Sequence, residues 1–464
     1  MSMMNCEKLL EGFEPSFEFV PPKAVPESEL ADKVERLRRA ATVAECDVVL
    51  LNANGAPNYN ATNKYLRFFF DWPREGMVIL PVDKRKESAM FTIYTQSVIL
   101  PPSRGDAVGI DHLYQIGALG REYSGRPCDS DEKLVEATIN MIKKMGFERA
   151  NFGIVGDGSS AKHWKALKEA FPKSQFVDMT QTVRDMQFVH TPAEIDQIRA
   201  SAQLMEIGFE AAVYCCKPGV TDFELFAAYT FAQLARGGEA ADGYQIGVNK
   251  WGTHCGKPYG HIVEEGDLIN FYISGIPYRG FSAQIARMIT VGKITAKQEE
   301  ILEMTCEAIR RGEKLIKPGA KLSDINHAAF TAFIEKGYLK DDETGTMTYN
   351  WAPDDANDYG PVEIKNLYIP DAGLEESGRR LMHVYPAVPG GHNPNLGHEI
   401  GGFGGGKYNV CSHNTQPCEV GMTFVLHPMW LEPMVAGSNV GDAYAVTETG
   451  YEKLSCHTPL VVRK

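Results

Sequence analysis

Three histidines, His254, His398 and His427, carry the side chains of this sequence that are best suited to acid–base chemistry. Imidazole titrates near neutral pH, so it can carry a proton between a substrate and its leaving group. Three imidazoles could also bind one zinc or iron ion, but no HxH or HExxH spacing relates them, and Asp442 is the one carboxylate that we can place nearby. The sequence therefore favours proton transfer. A single-metal site and a purely structural role are the alternatives.

Hydrogen-bonding side chains accompany these histidines. Tyr272 and Gln284 lie on two successive predicted strands, and each can bind a substrate through hydrogen bonds. Core filling is the alternative for Tyr272. The segment 65–74 is dense in aromatic residues and carries Arg67 and Arg74. It predicts either an aromatic wall with two arginines for a carboxylate or a cation, or an aromatic strand of the core.

Other conspicuous residues are not expected to take part in catalysis. The glycine run 401–406, flanked by His392 and His413, lacks the Lys-Ser/Thr of a phosphate-binding loop and is interpreted as a flexible turn. His261 is expected at the surface. The ten cysteines are scattered without a CxxC pair, which favours free thiols in a reducing compartment. Cys255 alone stays a candidate nucleophile.

Composition and charge narrow the function classes. The chain has 464 residues, of which 44% are hydrophobic and 23% charged, as is typical of a globular protein with two domains. A net charge of -13 disfavours nucleic acid and anionic membranes as partners. No apolar run approaches the roughly 20 residues that span a bilayer, and the first residues lack the features of a signal peptide. We therefore expect a cytoplasmic protein that acts on a small molecule.

The pattern of helices and strands divides the chain into three parts. Residues 1–30 lack periodicity and are predicted to form an extended arm over the surface or over a partner subunit. Residues 31–187 alternate helical and strand patterns, which predicts a compact α/β domain. Residues 188–464 begin with a long helix, for which Thr191 is the predicted N-cap, with a proline after it and a glutamate three residues on.

The third part contains an internal repeat. Residues 206–238 and 303–337 each show a helix, a Lys-Pro-Gly turn, an aspartate and a second helix. Their spacing is too long for a solenoid, so the repeat predicts two pseudo-symmetric α+β halves. The stretch 341–390 is rich in Asp, Pro and Gly and is longer than a usual connection. It is therefore predicted to be a functional loop or lid.

Several short segments carry a family likeness in their order and spacing. They are Gly266-Asp-Leu-Ile-Asn, Tyr278-Arg-Gly-Phe-Ser, Ile285-Ala-Arg287, Leu396-Gly-His-Glu-Ile-Gly401, Glu419-Val-Gly-Met422, His427-Pro428, Gly441-Asp442 and Val446-Thr-Glu-Thr-Gly-Tyr-Glu-Lys-Leu. Together they resemble the pita-bread superfamily, which includes methionine and Xaa-Pro aminopeptidases, prolidase and creatinase. The resemblance implies an α+β pita-bread domain of two halves, preceded by a smaller α/β domain of the creatinase type.

The resemblance also implies what the site lacks. The metallopeptidases of the superfamily keep five metal ligands, and the matching positions here are Tyr272, Gln284, His398, His427 and Gly441. A pair of hard divalent ions needs carboxylate oxygens, so we expect neither a bound metal nor another cofactor. Creatinase, a metal-free C–N hydrolase, is the nearest precedent.

Likeness to creatinase assigns further roles. The sequence around His254 resembles the segment that carries creatinase's acid–base histidine, so His254 would move the proton and Trp251 would bind substrate. His398 and His427 would hold and polarise the substrate. Creatinase's two substrate-binding glutamates would fall at Ala286 and His427, so creatine itself is not the expected substrate.

Segments like 65–74 cap the partner subunit's cleft in creatinase, so the resemblance also implies a homodimer. The predicted function is metal-independent hydrolysis of a C–N bond in a small amino-acid-like metabolite. The alternatives are a lyase acting on a small zwitterion such as dimethylsulfoniopropionate, a single-metal Xaa-Pro peptidase-like hydrolase, and a non-catalytic binding module. The known lyases keep an iron site that this chain lacks, and three imidazoles in the cleft argue against the module.

Overall fold

The chain forms two compact units in the computed structural model. The structure describes residues 8–52, 64–72, 76–92, 109–115, 130–156, 161–239, 245–249, 258, 260–341, 347–348, 396–402, 409–432 and 435–464. The N-terminal unit comprises Lys23–Phe188 and Arg279–Phe281, and the C-terminal unit comprises Met1–Pro22, Val189–Tyr278 and Ser282–Lys464. Within the described ranges, no helix is long and apolar enough to cross a membrane.

The N-terminal unit is built on a six-stranded mixed sheet. Its elements are α1 (Glu27–Val43), β1 (Val48–Asn52), α2 (Lys64–Phe70), β2 (Met77–Pro81), β3 (Ala89–Thr92), β4 (His112–Gln115), α3 (Ser130–Lys144), β5 (Phe152–Val155), α4 (Ala161–Ala170), β6 (Phe176–Asp178) and α5 (Thr180–Met186). The strand order is β4-β3-β2-β1-β5-β6, and β1 runs antiparallel to β2 but parallel to β5. All residues of β2 and β5 are buried, so these strands are apolar throughout.

The aromatic segment after residue 64 is helical. It forms α2, in which Phe68, Phe69 and Phe70 are buried, and Trp72 beyond it is buried as well. The core strand that was one interpretation of this segment is therefore wrong, although its aromatic side chains are buried as a core segment requires.

The C-terminal unit combines two helix pairs with sheets that are antiparallel except where β18 pairs parallel to β9. Its elements are α6 (Pro192–Cys215), α7 (Asp222–Leu234), β7 (Ile246–Val248), β8 (Leu268–Tyr278), β9 (Phe281–Thr290), α8 (Ala296–Glu313), α9 (Leu322–Glu335), β10 (Lys340–Asp341), β11 (Met347–Thr348), β12 (Gly397–Glu399), β13 (Thr423–Leu426), β14 (Met429–Glu432), β15 (Ala436–Asn439), β16 (Asp442–Val446), β17 (Tyr451–Lys453) and β18 (Val461–Arg463). The two larger sheets have the orders β18-β9-β8-β7 and β12-β13-β16-β17.

The repeat predicted from the sequence has matching backbone geometry in both halves. Gly219 follows α6 with φ of 93°, and Gly319 follows α8 with φ of 83°, a conformation that favours glycine. Gly219 N–H donates to the Val263 carbonyl at 2.8 Å, and Gly319 N–H donates to the Cys418 carbonyl at 2.9 Å. Each helix pair is thus tied in the same way to a later segment of its own half.

The first helix of this unit begins as predicted. The Thr191 side chain accepts from the N–H of Glu194, and the Glu194 carboxylate accepts from the N–H of Thr191, at 3.3 and 2.9 Å. This reciprocal pair satisfies N–H groups that the first helical turn would otherwise leave unpaired.

The described part of the N-terminal arm lies on its own chain. Four arm residues pack against α6 and α7 of the C-terminal unit: Leu10, Phe13, Phe17 and Phe19. The ring of Phe17 also stacks on His457, with 3.8 Å between centroids. The arm thus covers apolar surface that these helices would otherwise expose to solvent.

Candidate active site

A single strand register places the candidate residues on one face of the C-terminal unit. Leu426 pairs with Asp442 between β13 and β16, and Met429 pairs with Asn439 between β14 and β15. These pairs have the same register, so the ladder continues past His427 without a slip. Because side chains alternate along strands, His427 shares its face with position 441, and Asp442 points to the opposite face.

Four of the predicted site residues meet on this face, and we call them the His–Tyr cluster: Tyr272, Gln284, His398 and His427. The Gln284 amide donates a hydrogen bond to the Tyr272 hydroxyl. The His427 ring lies edge-on to the rings of Tyr272 and His398, with 5.4 and 5.2 Å between centroids. Tyr272, Gln284 and His427 are buried, whereas His398 is half-buried.

One hydrogen bond fixes the tautomer of His398. Its Nδ1 lies 2.8 Å from the backbone carbonyl oxygen of Glu399. A carbonyl can only accept, so Nδ1 carries a proton, and Nε2 of the neutral ring is an acceptor. His398 can therefore accept from a substrate N–H or a water in its neutral form, and it can polarise a carbonyl only as an imidazolium.

Position 441 is a glycine because the neighbouring strand leaves no space for a side chain there. A Cβ atom at Gly441 would lie 2.9 Å from the Cβ of His427 and 3.0 Å from the Leu426 carbonyl oxygen. A side chain at this position would require the neighbouring strand to move. The backbone at Leu426 and the Cβ of His427 therefore favour glycine at position 441.

Asp442 lies on the opposite face, where it takes part in a buried ionic network. Its carboxylate is 2.8 Å from the guanidinium of Arg287, which also donates to the Gly441 carbonyl at 2.5 Å. Lys453 approaches the same carboxylate at 3.2 Å. Burial raises the pKa of Glu206, which lies 3.6 Å from Arg287, although the arginine charge opposes this rise. The carboxylate that the sequence placed near the histidines is therefore committed to Arg287.

Asp267 ties together the two described ends of the loop that carries His254. Asn249 donates to one Asp267 oxygen at 2.6 Å, and His261 Nε2 lies 2.7 Å from the other. Burial would raise the pKa of the Asp267 carboxyl, but the hydrogen bond from His261 and that from the Glu264 N–H outweigh it and hold this pKa below its usual value. Burial likewise disfavours the protonated form of His261, yet the bond and the charge of Asp267 raise the pKa of this histidine.

The remaining predicted site residues are not part of the cluster as described. His254, Trp251 and Arg74 lie outside the described residues, as do Cys255 and most of the predicted lid. Arg67 is buried in the N-terminal unit, where its Nε lies 3.2 Å from the Asp71 carboxylate. Its guanidinium already has an internal carboxylate partner.

Two residues of this region escaped the sequence analysis. Asp267 follows the glycine that opens β8, and only its position in that turn could have drawn attention to it. Gln245 lies opposite Tyr272, whose N–H donates to the Gln245 carbonyl at 3.1 Å. Nothing in the sequence pairs residues 245 and 272, because the pairing depends on the strand register.

The buried cysteines are not suited to act as nucleophiles. Burial raises the pKa of Cys215, Cys216, Cys306 and Cys418 to about 11, so the reactive thiolate is scarce at neutral pH. The cysteines among the described residues are free thiols.

Comparison with known families identifies the family of this chain. Residues 196–448, which are more than half of the chain, match metallopeptidase family M24. The chain belongs to this family. Among M24 relatives, it is 24% identical to the creatinase of Bacillus sp. (strain B-0618) over 254 residues, 53% of this chain and 58% of creatinase. The match thus spans less than two thirds of that relative. An uncharacterized peptidase of Staphylococcus aureus (strain MW2) is 26% identical over 302 residues, 63% of this chain and 69% of that protein.

Two solved peptidase structures share the fold. The Xaa-Pro dipeptidase from Bacillus anthracis superposes with a TM-score of 0.66 at 20% identity and covers 93% of this chain and 100% of its own. The prolidase from Pyrococcus horikoshii OT3 gives a TM-score of 0.65 at 16% identity, with coverage of 93% and 100%. The α+β pita-bread fold expected from the sequence is confirmed.

The family name implies metal ions, but the residues on this face do not fit a pair of them. The His–Tyr cluster offers a phenol, an amide and two imidazoles, and no carboxylate of the described residues lies on the same face. Hard divalent ions are held by carboxylate oxygens. In the described part of the chain, no group of three or more His, Cys, Asp or Glu side chains could hold an ion.

Proposed function

We propose that this M24 protein hydrolyses a C–N bond in a small amino-acid-like metabolite, without a pair of metal ions. It would resemble creatinase in mechanism but differ from it in substrate, because the sequence has Ala286 and His427 where creatinase's guanidinium-binding glutamates would fall. The observation that carries the proposal is that the His–Tyr cluster brings together a phenol, an amide and two imidazoles, without a carboxylate among its members.

The cluster suits a neutral carbonyl-type carbon bonded to nitrogen. Gln284 positions the Tyr272 hydroxyl by donating to its oxygen, and a phenolic O–H is a donor that suits an oxygen gaining negative charge. His398, with Nδ1–H held by a carbonyl, can accept from the substrate or from water through Nε2. His427 would complete the polar lining from the neighbouring strand.

His254 is the proposed proton carrier. A water molecule would give a proton to His254 as its oxygen bonds to the carbonyl-type carbon. The same proton would then pass to the leaving nitrogen as the C–N bond breaks. Asp267 would act as a positioning residue, because it binds Asn249 and His261 on either side of the loop. Trp251 and Arg74 stay proposed contacts of the substrate, whereas the Arg67 guanidinium is paired with Asp71 inside its own unit.

The proposal extends to the cellular setting. We infer a cytoplasmic homodimer that acts on a small molecule and binds neither nucleic acid nor membrane. The net charge of -13 and the likeness to creatinase support this inference.

The decisive experiment measures amine or ammonia release from a panel of small amides, lactams and ureido acids by NMR. His254→Ala should reduce kcat by roughly 100- to 10,000-fold, as is usual for the loss of an acid–base group. KM should change little, because the group acts mainly in the transition state. His413→Gln is the matched control, since His413 is exposed and lies outside the cluster.

Treatment with EDTA should leave the turnover unchanged. Wild-type protein that is inert towards the whole panel would count against the hydrolase. Unchanged turnover in His254→Ala would remove His254 from the mechanism, and loss of turnover on chelation would favour the single-metal alternative.

A further inference from the structure

Asn439 is a deeply buried polar residue whose side chain is unpaired. It is 1% exposed, and neither its amide oxygen nor its amide nitrogen has a hydrogen-bond partner among the described residues. A buried amide without partners is costly, because both groups have lost their bonds to water. Such a group in a native protein calls for an explanation, and a bound water, ion or ligand that completes it is one.

The strand register aims Asn439 at the His–Tyr cluster. Asn439 and Gly441 are two residues apart on a ladder that continues without a slip, so they share a face. The preceding Ser438 faces the other way, where its hydroxyl lies 2.6 Å from that of Thr305. Asn439 is therefore a diagonal neighbour of His427, at a distance of about 7–8 Å in a regular ladder.

The immediate neighbours of Asn439 cannot satisfy its amide. Met429 is its partner across the ladder. On the other side, the backbone nitrogen of Asn439 lies 3.5 Å from the Met288 sulfur. A thioether has no proton to donate and is a weak acceptor. The side-chain amide thus gains no strong hydrogen bond from these methionines, and it shares its strand face with the His–Tyr cluster.

A second amide lies on the same side of the cluster. Gln245 is opposite Tyr272 in the strand pair, so the two side chains share a face. The side-chain oxygen of Gln245 is buried and has no hydrogen-bond partner among the described residues. The unpaired amide of Asn439 and the unpaired amide oxygen of Gln245 thus border a cluster that contains neither a carboxylate nor an arginine or lysine among its members.

We propose that Asn439, assisted by Gln245, recognises a neutral amide group of the substrate, as found in a carboxamide, a lactam or a ureido group. This inference rests on the proposed function and specifies its substrate class. A side-chain amide offers one donor and one acceptor side by side, and a ligand amide offers the complementary pair. A charged ligand group would be left without an opposite charge at this depth, which costs more than a neutral one.

The test uses fragments and needs no turnover. Binding of the γ-lactam pyrrolidinone and of its N-methyl derivative, which lacks the N–H donor, is measured by saturation-transfer NMR. Wild-type protein should bind the lactam about tenfold more tightly, the effect of one hydrogen bond to a buried group. Asn439→Leu should abolish this preference. Because it also removes two unsatisfied polar atoms, it should raise Tm by about 2 to 4 °C.

Asn326→Leu is the matched control. Asn326 is equally buried, at 1% exposed, but its amide donates to the Val410 carbonyl at 3.1 Å. Its replacement should lower Tm and leave the lactam preference intact. The inference is overturned if Asn439→Leu lowers Tm as Asn326→Leu does, or if the preference survives in Asn439→Leu.

The two proposals fail in different ways. If the lactam preference depends on Asn439 but the protein hydrolyses no amide, the proposed function is wrong and the recognition role of Asn439 stands. If turnover depends on His254 but is unchanged in Asn439→Leu, the recognition role of Asn439 is wrong and the proposed function stands.

Discussion

His427 and Gly441 face each other across two strands, and position 427 leaves no room for a side chain at position 441. A Cβ atom at position 441 would lie 2.9 Å from the Cβ of His427, which is closer than two such carbons pack. A carboxylate side chain at position 441 would therefore clash with the neighbouring strand before it could bind an ion.

Gly441→Ala should destabilise the protein by about 1–3 kcal/mol, the usual cost of overpacking a buried site. Urea unfolding measures it. In a His427→Gly background the cost should fall, because the clashing carbon is gone. Gly450→Ala is the control, since its new Cβ would meet nothing closer than 4.0 Å. Equal costs of Gly441→Ala in both backgrounds would contradict the steric dependence.

Tyr272 and Gln284 should behave as a coupled pair. Tyr272→Phe leaves the buried Gln284 amide without its acceptor and should cost about 1–3 kcal/mol of unfolding free energy. The double variant with Gln284→Leu removes both polar groups and should recover part of that loss. A double-mutant cycle should give a coupling energy of about 0.5–3 kcal/mol. If the effects of the two substitutions on the unfolding free energy are strictly additive, the hydrogen bond contributes no coupling energy.

The purified protein should contain no stoichiometric pair of divalent metals, because the cluster offers amide, phenol and imidazole groups in place of carboxylates. Elemental analysis by mass spectrometry measures this, before and after dialysis against Mn²⁺. Added Mn²⁺ should not shift Tm, whereas a bound ion at one hundred times its Kd would stabilise the fold by about 2.7 kcal/mol. Two equivalents of manganese, cobalt, iron or zinc, with activity lost to a chelator, would refute this expectation.

The ion pair between His261 and Asp267 should make stability depend on pH in a defined window. Asp267 has a lowered pKa, so its contribution is present above about pH 4 and is lost as the pH falls through the folded-state value. His261 has a raised pKa, so its contribution is complete below about pH 6.5 and is lost as the pH rises through the folded-state value. The pair should therefore stabilise most between these two limits.

The measurement is urea unfolding of wild type and His261→Gln across this range. The difference in unfolding free energy should peak between about pH 4 and pH 6.5 and decline above it. His112→Gln is the control, because the pair formed by His112 and Glu87 is exposed and should contribute little. A difference that grows with rising pH would have the wrong sign for this pair.

Light scattering at micromolar concentration should give twice the monomer mass of 51.3 kDa. This expectation rests on the likeness to creatinase. Dilution over a hundredfold range tests whether the mass depends on concentration. A mass of one chain throughout would rule out the proposed homodimer.

The sequence by itself determined the local structure and the available chemistry. Features that depend on residues close in the chain could be predicted correctly. They include the capping box of Thr191 and Glu194 and the Lys-Pro-Gly turns that end at Gly219 and Gly319. The absence of carboxylates at Tyr272 and Gln284 was equally a matter of residue type. Segment 65–74 was harder, because aromatic residues suit a buried helix as well as a strand, and tertiary packing decided between them.

The tertiary structure alone decided which side chains share a face. Asp442 seemed close to the histidines in the sequence, but strand alternation turns it to Arg287 and leaves Gly441 facing His427. The same register aims the unpaired amide of Asn439 at the cluster. A shift of one residue would reverse every one of these assignments, and the register is set by contacts between residues far apart in the chain.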